Sequence, residues 1–396
     1  MRRAARVLLT CTLCVVLVTL PGWSAGVAGV GGTAISTRGG RWSDPDIWNP
    51  RGVPGKGTRV KIARGTTVEY DVAADRELGE LDIEGTITFS RDRSTRLDTQ
   101  GIVIGSGGVL ELGKAGQPIP RTATAEIRLV VPEGRAFVGG GFVPGDVGIW
   151  VLAGGRWEVQ GEPVRHTWVK LAHPARVGES AVVVARDITD WPIGADVMLT
   201  ATGVNPTAAD FEERTVRGVQ PLANGLFALQ LTAPLSRAHD GGSEFSGEVA
   251  LLSRNVRISS KYPQRTKAHT VYMAGAKGSI AYGEFKDLGA LGVLGRYPIH
   301  FHLLGESSRG MSVRGASIWR SDNHFMNIHG SNGIAVVDTV GYDTAGSGFF
   351  LEPVEMRGGP PGVERRGKDQ ELPQPMSSAS PRQDKTQTRE QRRQKQ

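Results

Sequence analysis

Cysteine is almost absent from this 396-residue chain, and both copies, Cys11 and Cys14, lie in its N-terminal leader. The rest of the chain has no thiol. That excludes disulfide staples, a cysteine nucleophile and thiolate metal ligands there, and a body of this length has core enough to fold without staples. A run of about 20 apolar residues, the length a spanning helix needs, is also missing. The longest run, Val7–Leu20, falls well short of it, follows Arg2, Arg3 and Arg6, and leads to Gly26 and Ala28. Residues 1–28 are therefore expected to be a secretory signal peptide, whose removal leaves a secreted, extracellular chain with no membrane span; an uncleaved anchor or a lipid attached at Cys14 is the competing reading. Nor does the body carry an excess of charge. Of the net +7, the leader supplies three arginines, and the residues from Pro353 onward supply ten basic and six acidic groups. Between them stand 34 bases and 34 acids, a balance that argues against a nucleic-acid-binding fold. The stretch 353–396 has no Phe, Trp or Tyr, so a disordered basic tail is expected there. No glycine-rich phosphate loop, nucleophile elbow or zinc-protease motif occurs.

What the chain does have is glycine, 54 residues without a three-residue period, which suits a turn-dense β protein and excludes collagen. Short alternating apolar runs recur between the glycines. Val60–Ile62, Leu81–Ile83, Ile102–Ile104 and Ile127–Leu129 follow one another at nearly constant spacing. A second series, Val68–Tyr70, Ile87–Phe89 and Leu110–Leu112, trails the first by six to eight. Two series sharing one period predict stacked coils of a parallel β-helix; the competing reading is a β-sandwich. From 145 to 254 the period is lost. GIWVLAGGRWEVQG, HTWVKLA, AVVVARD and GADVMLTAT read there as an antiparallel β module, with Trp168 expected in its core and His166 undecided. The expected organisation is a linker at 29–40, coils at 41–144, the module at 145–254 and coils again at 255–352.

In the second set of coils, IHFH, MNIH and FFLE begin at Ile299, Met326 and Phe349 and repeat the same alternation. Aligned, they place Ile299, Met326 and Phe349 in one apolar ladder and Phe301, Ile328 and Leu351 in another. The residues between should face outward: His300, Asn327 and Phe350 in one row, His302, His329 and Glu352 in the next. Phe350 is the misfit, and cover by the module would explain it.

These residues also carry a resemblance. RWSDPDIWNPRGVPGKGTRVKIARGTTVEYD and GGVLELG resemble the eight-glycine (G8) domain of large secreted and membrane-anchored animal proteins. HTWVKLA, EVALLSRNV, LGRYPIHFH, the HG of NIHG and GSGFFLE resemble the region after that domain in the group of cell-migration-inducing hyaluronan-binding protein, cell-surface hyaluronidase and fibrocystin. The similarity runs from about Arg41 to Glu352. It implies a right-handed parallel β-helix, and hyaluronan binding or depolymerisation in some members, with no catalysis established for the fibrocystin type. Members continue past FFLE with further coils, whereas the pattern here stops at Pro353, so a truncated copy is expected.

The chemistry should centre on the histidine rows. Adjacent coils lie about 4.8 Å apart, so His302, His329 and Glu352 can form a site with two imidazoles and a carboxylate. His300, His302 and His329 are the candidate ligands of a divalent metal ion. The same groups can instead serve as acid and base on a polysaccharide, or simply bond to one another in a polar ladder. Glycosidases often use two carboxyl groups, about 5–5.5 Å apart for retention and roughly 6.5–9.5 Å for inversion. Asp322 and Asp343, on neighbouring coils, and Glu352 are the candidates, with turn stabilisation as the competing role for both aspartates. Substrate contacts are expected from His300, Asn327, Arg296, Arg314 and Arg320, and from His239 and Asp240 in a module loop. Arg254 is expected to secure the junction of module and solenoid. Trp42, Trp48, Trp150, Trp157 and Trp191 offer sugar-stacking surfaces, though most should be core. The expected role is to recognise an extracellular, hyaluronan-like polysaccharide and to cleave it by hydrolysis; the alternative is a non-catalytic adhesion module.

Overall fold

The computed structural model describes residues 31–134 and 146–353. The expected signal peptide, most of the expected tail and the segment 135–145 lie outside the described residues. Within them the protein is a parallel β-helix with an antiparallel β module set into one coil. Four three-residue 3-10 turns are the only helical pieces among the described residues.

Each coil presents three faces. On the first, Arg59–Ile62, the end of Ala73–Ile83, the end of Thr95–Ile104, Gly148–Val151, His269–Tyr272, Ile299–Gly305, Met326–Ser331 and Phe349–Glu352 stack in parallel register. The alternation of the sequence decides what points inward. Ile62, Ile83, Ile104, Val151, Tyr272, Phe301, Ile328 and Leu351 occupy one inner ladder. It begins aliphatic and turns aromatic, where Tyr272 and Phe301 stack with centroids 5.1 Å apart. The second face repeats Val68, Ile87, Leu110 and Trp157, and later Ile280, Val313 and Val336. The third stacks Leu97, Ile127, Ile258, Phe285 and Ile318.

Glycine is used where a coil turns from the first face to the second. A Cβ on Gly108 would fall on the carbonyl oxygen of Ile83, and one on Gly278 on that of Trp157. The corners of the later coils repeat a left-handed residue instead. Tyr282, Gly315 and Asp338 stack at one corner, and Asp287, Arg320 and Asp343 at the next, all with φ between 50° and 60°.

The module leaves the second face after Arg156–Gln160 and returns to the third at Val256–Ser260. Its six strands run in the order Trp168–Lys170, Glu248–Leu251, Asp196–Leu199, Glu212–Pro221, Phe227–Leu231 and Ala181–Val184. They close over a separate core that includes Val169, Val197, Leu229 and Val249. Arg254 pins the junction from a buried position, donating to the carbonyls of Leu251 and Gly315. Burial pulls its pKa down to about 10.

Four expectations change. Ile127–Leu129 pairs with Thr95–Ile104 and Val256–Ser260 on the third face, and Ile149–Val151 takes the first-face position that follows Ile102–Ile104. Ile149 pairs with Ile102, a separation along the chain far longer than the spacing of the earlier coils, so their period does not continue. Gly148–Val151 and Arg156–Gln160 are accordingly solenoid rungs, and the antiparallel strands begin at Trp168. Trp168 is 43% exposed, with Val169 taking the inward position. Phe350 is stacked on His324 at 4.7 Å but stays 38% exposed, so the expected cover by the module is not found.

Candidate functional site

The register on the first face sets His300 opposite Asn327, His302 opposite His329, and His329 opposite Glu352. The two outward rows thus lie side by side near the later coils. A cavity of about 120 Å³ opens above them, walled by Trp150, Met273, the loop Leu294–Tyr297, the three histidines and Glu352.

Ring nitrogens of His300, His302 and His329 lie within 4.8 Å of one another. His302 Nδ1 and His329 Nδ1 are 3.1 Å apart, a separation that one proton can bridge. His300 donates from Nδ1 to the Gly295 carbonyl at 3.1 Å, which fixes its tautomer and leaves Nε2 with a lone pair. That Nε2 is buried and meets no hydrogen-bond partner among the described residues. Burial, then the neighbouring His302, pushes His300 down to about 3, and burial with His329 lowers His302 as well. Both rings are therefore neutral at physiological pH, the form in which imidazole binds a metal. Two nitrogens bound to one ion about 2.1 Å from each stand roughly 3.4 Å apart in tetrahedral geometry; the His302–His329 pair, at 3.1 Å, is near that value, and the set as a whole, within 4.8 Å, would have to draw in.

Glu352 Oε2 stands 3.9 Å from His329 Nδ1 and accepts from Asn327 Nδ2 at 3.1 Å. Arg296, 3% exposed, is bound to Asp146 at 2.7 Å and lies under the Trp150 ring. It forms the cavity's cationic wall.

The structure does not bring the other expected residues here. Asp322 pairs with Lys267 at 2.8 Å, and Asp343 is the left-handed corner residue on the third face. Neither lines the cavity, so the expected pair of carboxylates is not assembled at the histidines. Arg314 lies on the second face, and Arg320 binds Glu213 of the module at 2.6 Å. His239 is buried in the module, with Nδ1 on the Thr200 carbonyl and Nε2 on Glu212. Asp240 follows it there, its backbone N–H bonded to Thr202. The five candidate tryptophans are all buried, and Trp150 alone of them lines the cavity.

Sequence reasoning missed Tyr297, which lines the cavity, Asp146, which holds Arg296, His269, whose ring meets the Trp150 ring edge to face at 5.3 Å, and His324. Tyr297 and His324 stack at 5.2 Å and continue into Phe350. Their offset along the chain equals that between His302 and His329, a signal that was available in the sequence.

Comparison with known proteins places these parts in a lineage. Residues 47–172 match the G8 domain, and residues 266–357, which hold the histidine rows, match the CEMIP beta-helix. Human fibrocystin-L is 27% identical over 365 residues, covering 78% of this chain but 8% of the relative. A G8 domain-containing protein of Dictyostelium discoideum is 30% identical over 215 residues, 54% of this chain and 19% of that one. Communication mutant protein F of the same organism is 24% identical over 319 residues, 78% of this chain and 28% of the relative. The chain thus spans less than a third of the length of each of these relatives. A phage tailspike in complex with a capsular saccharide (12% identity, TM-score 0.20, 73% of this chain and 41% of that one) is too loosely similar to carry an argument. The chain carries a G8 domain joined to a CEMIP-type β-helix, with fibrocystin-L and Dictyostelium G8 domain proteins among its homologues, which is the group its sequence resembles.

Proposed function

We propose that the protein is an extracellular, polysaccharide-binding β-helix that hydrolyses hyaluronan or a similar glycan at the histidine cavity. In this reading His300, His302 and His329 hold a divalent metal ion. The observation that carries it is the convergence of one ring nitrogen from each of the three histidines within 4.8 Å, beside a buried His300 Nε2 that has no partner among the described residues. A polar ladder with a purely structural role would be expected to bond that atom.

The ion, when bound, would supply Lewis acidity and lower the pKa of a coordinated water. The chain's own groups do the rest. Gly295 fixes the His300 tautomer, Asn327 orients Glu352, and Glu352 is the carboxylate placed to accept a proton from water. Glu352 is also the only carboxylate among the described residues lining the cavity, so the reaction is assigned to the histidine set and not to a carboxylate pair.

The test measures metal content of the purified protein together with the size of hyaluronan chains and new reducing ends. Bound ion, chelator-sensitive cleavage and loss of both in His302→Ala and His329→Ala support the assignment. Undiminished cleavage in chelator refutes the metal. Retention of the glycan without any size change refutes hydrolysis and leaves the binding module.

A further inference from the structure

A second groove, which shares no wall residue with the histidine cavity, runs where the module's edge strand meets a solenoid corner. Its volume is about 520 Å³, and Arg165, His166, Trp168, Lys170, Arg186 and Asp338 are among its walls. Two of those groups come from one alternation: Trp168 and Lys170 are the outward positions of the edge strand, while Val169 points inward, and His166 stands just before the strand. Trp168 lies opposite Ala250 in the sheet, so no large cross-strand neighbour covers its indole. This accounts for its exposure, unusual for so large an apolar ring.

The cations differ in how far they are already neutralised. Arg165 binds Asp187 at 2.6 Å and Thr189 at 2.9 Å, so it is committed to the module's own loop. Lys170 reaches only the Glu244 carbonyl, at 3.5 Å, and has no ion-pair partner among the described residues although Glu248 faces it across the sheet. Arg186 is exposed and likewise has no ion-pair partner among the described residues. Asp338 is the one acid in the groove wall. The chain body is neutral overall, so a local surplus of unpaired cations beside an open indole marks a place for a specific ligand.

We infer that this groove binds an acidic polysaccharide, with Lys170 and Arg186 meeting its carboxylates and Trp168 stacking against a sugar ring. The inference rests on the polysaccharide reading above, but it places chain binding on the module, apart from the histidines that would cleave it. A long polymer can then be held by a face that does no chemistry.

The experiment is calorimetric titration of the full chain with three probes: a hyaluronan decasaccharide, a polygalacturonate decamer and the neutral hexamer of N-acetylglucosamine. At least one acidic probe is expected to bind, with affinity falling as salt rises, and the neutral probe to bind at least tenfold more weakly. Lys170→Ala with Arg186→Ala should weaken the acidic probe by about tenfold. Trp168→Ala should weaken it similarly, and Trp168→Phe should restore most of the loss. All these side chains are exposed, and an unchanged melting temperature shows that the fold survives. Absence of binding by both acidic probes overturns the inference, as does unaltered affinity in the double variant. A parent chain that holds no metal and cleaves no glycan, with the groove variants still weakened, would instead strike only the histidine assignment.

Discussion

Two buried histidines, one in the module and one in the solenoid, show how similar burial can serve opposite ends. His239 is 1% exposed and His300 is 4% exposed. Both ring nitrogens of His239 are occupied, one by the Thr200 carbonyl at 2.8 Å and the other by Glu212 at 3.0 Å. His300 has one nitrogen on Gly295 and the other buried and unpartnered among the described residues, in a ring that stands beside His302 and His329. A saturated imidazole joins two strands. An imidazole with a buried lone pair costs the fold some stability, and a ligand that coordinates it would offset that cost.

The largest expected effect tests the solenoid side. His302→Ala should reduce metal occupancy to background and cleavage by more than about 100-fold, because a three-nitrogen site that loses one ligand loses most of its affinity. Its melting temperature without metal should barely move, since His302 is only partly buried. A variant that keeps its metal would make His302 a bystander and end the contrast with His239.

The module side predicts the reverse pattern. His239→Ala strips a donor from the Thr200 carbonyl and another from Glu212, and opens a cavity beside them. A destabilisation of about 2–4 kcal/mol is expected from the unpaired buried groups, with metal content unchanged. Denaturant unfolding of the variant measures the first, and elemental analysis the second. Should His239→Ala release metal, the two histidines would not be independent.

How much of this contrast was legible follows from coil geometry. The rows His300/Asn327 and His302/His329/Glu352 could be read by aligning three short strings, because stacked parallel rungs preserve the i, i+2 alternation from coil to coil. Residues close in sequence but past a corner could not be read that way. Arg314 and Arg320 follow His302 within the same coil, yet the chain has already turned onto the second and third faces. Asp322 and Asp343 went the same way, and the left-handed φ of Asp343 supports the turn role weighed against catalysis. Ile127–Leu129 misled because a lengthened coil put the next face's strand where the period expected the same face. His239 is legible only in three dimensions. Its partners Thr200 and Glu212 are far along the chain, in antiparallel strands whose pairing no period announces.

The smallest expected effect concerns pH and separates the charge in the module's pair from its packing. Burial alone would raise Glu212, but the backbone N–H of Ser236, the His239 ring and the backbone N–H of Arg237 outweigh it and hold the carboxyl below its ordinary value of 4.5. Its ionised form is therefore favoured by folding. The stabilisation is complete above the unfolded value and is lost as pH falls from about 4.5 through the lower folded value. Glu212→Gln removes the titrating group and keeps one acceptor oxygen, which can hold the bonds from His239 and Arg237, while its NH2 now faces the Ser236 N–H and Arg214 donors that the second carboxylate oxygen accepts. The variant should be about 1–2 kcal/mol less stable than the parent at pH 7, and the difference should shrink steadily below pH 4.5. Urea unfolding at several pH values between 3 and 7 reads this directly. A difference that stays constant across that range would mean the carboxylate's charge contributes nothing, and that the module holds its histidine by shape and neutral hydrogen bonds alone.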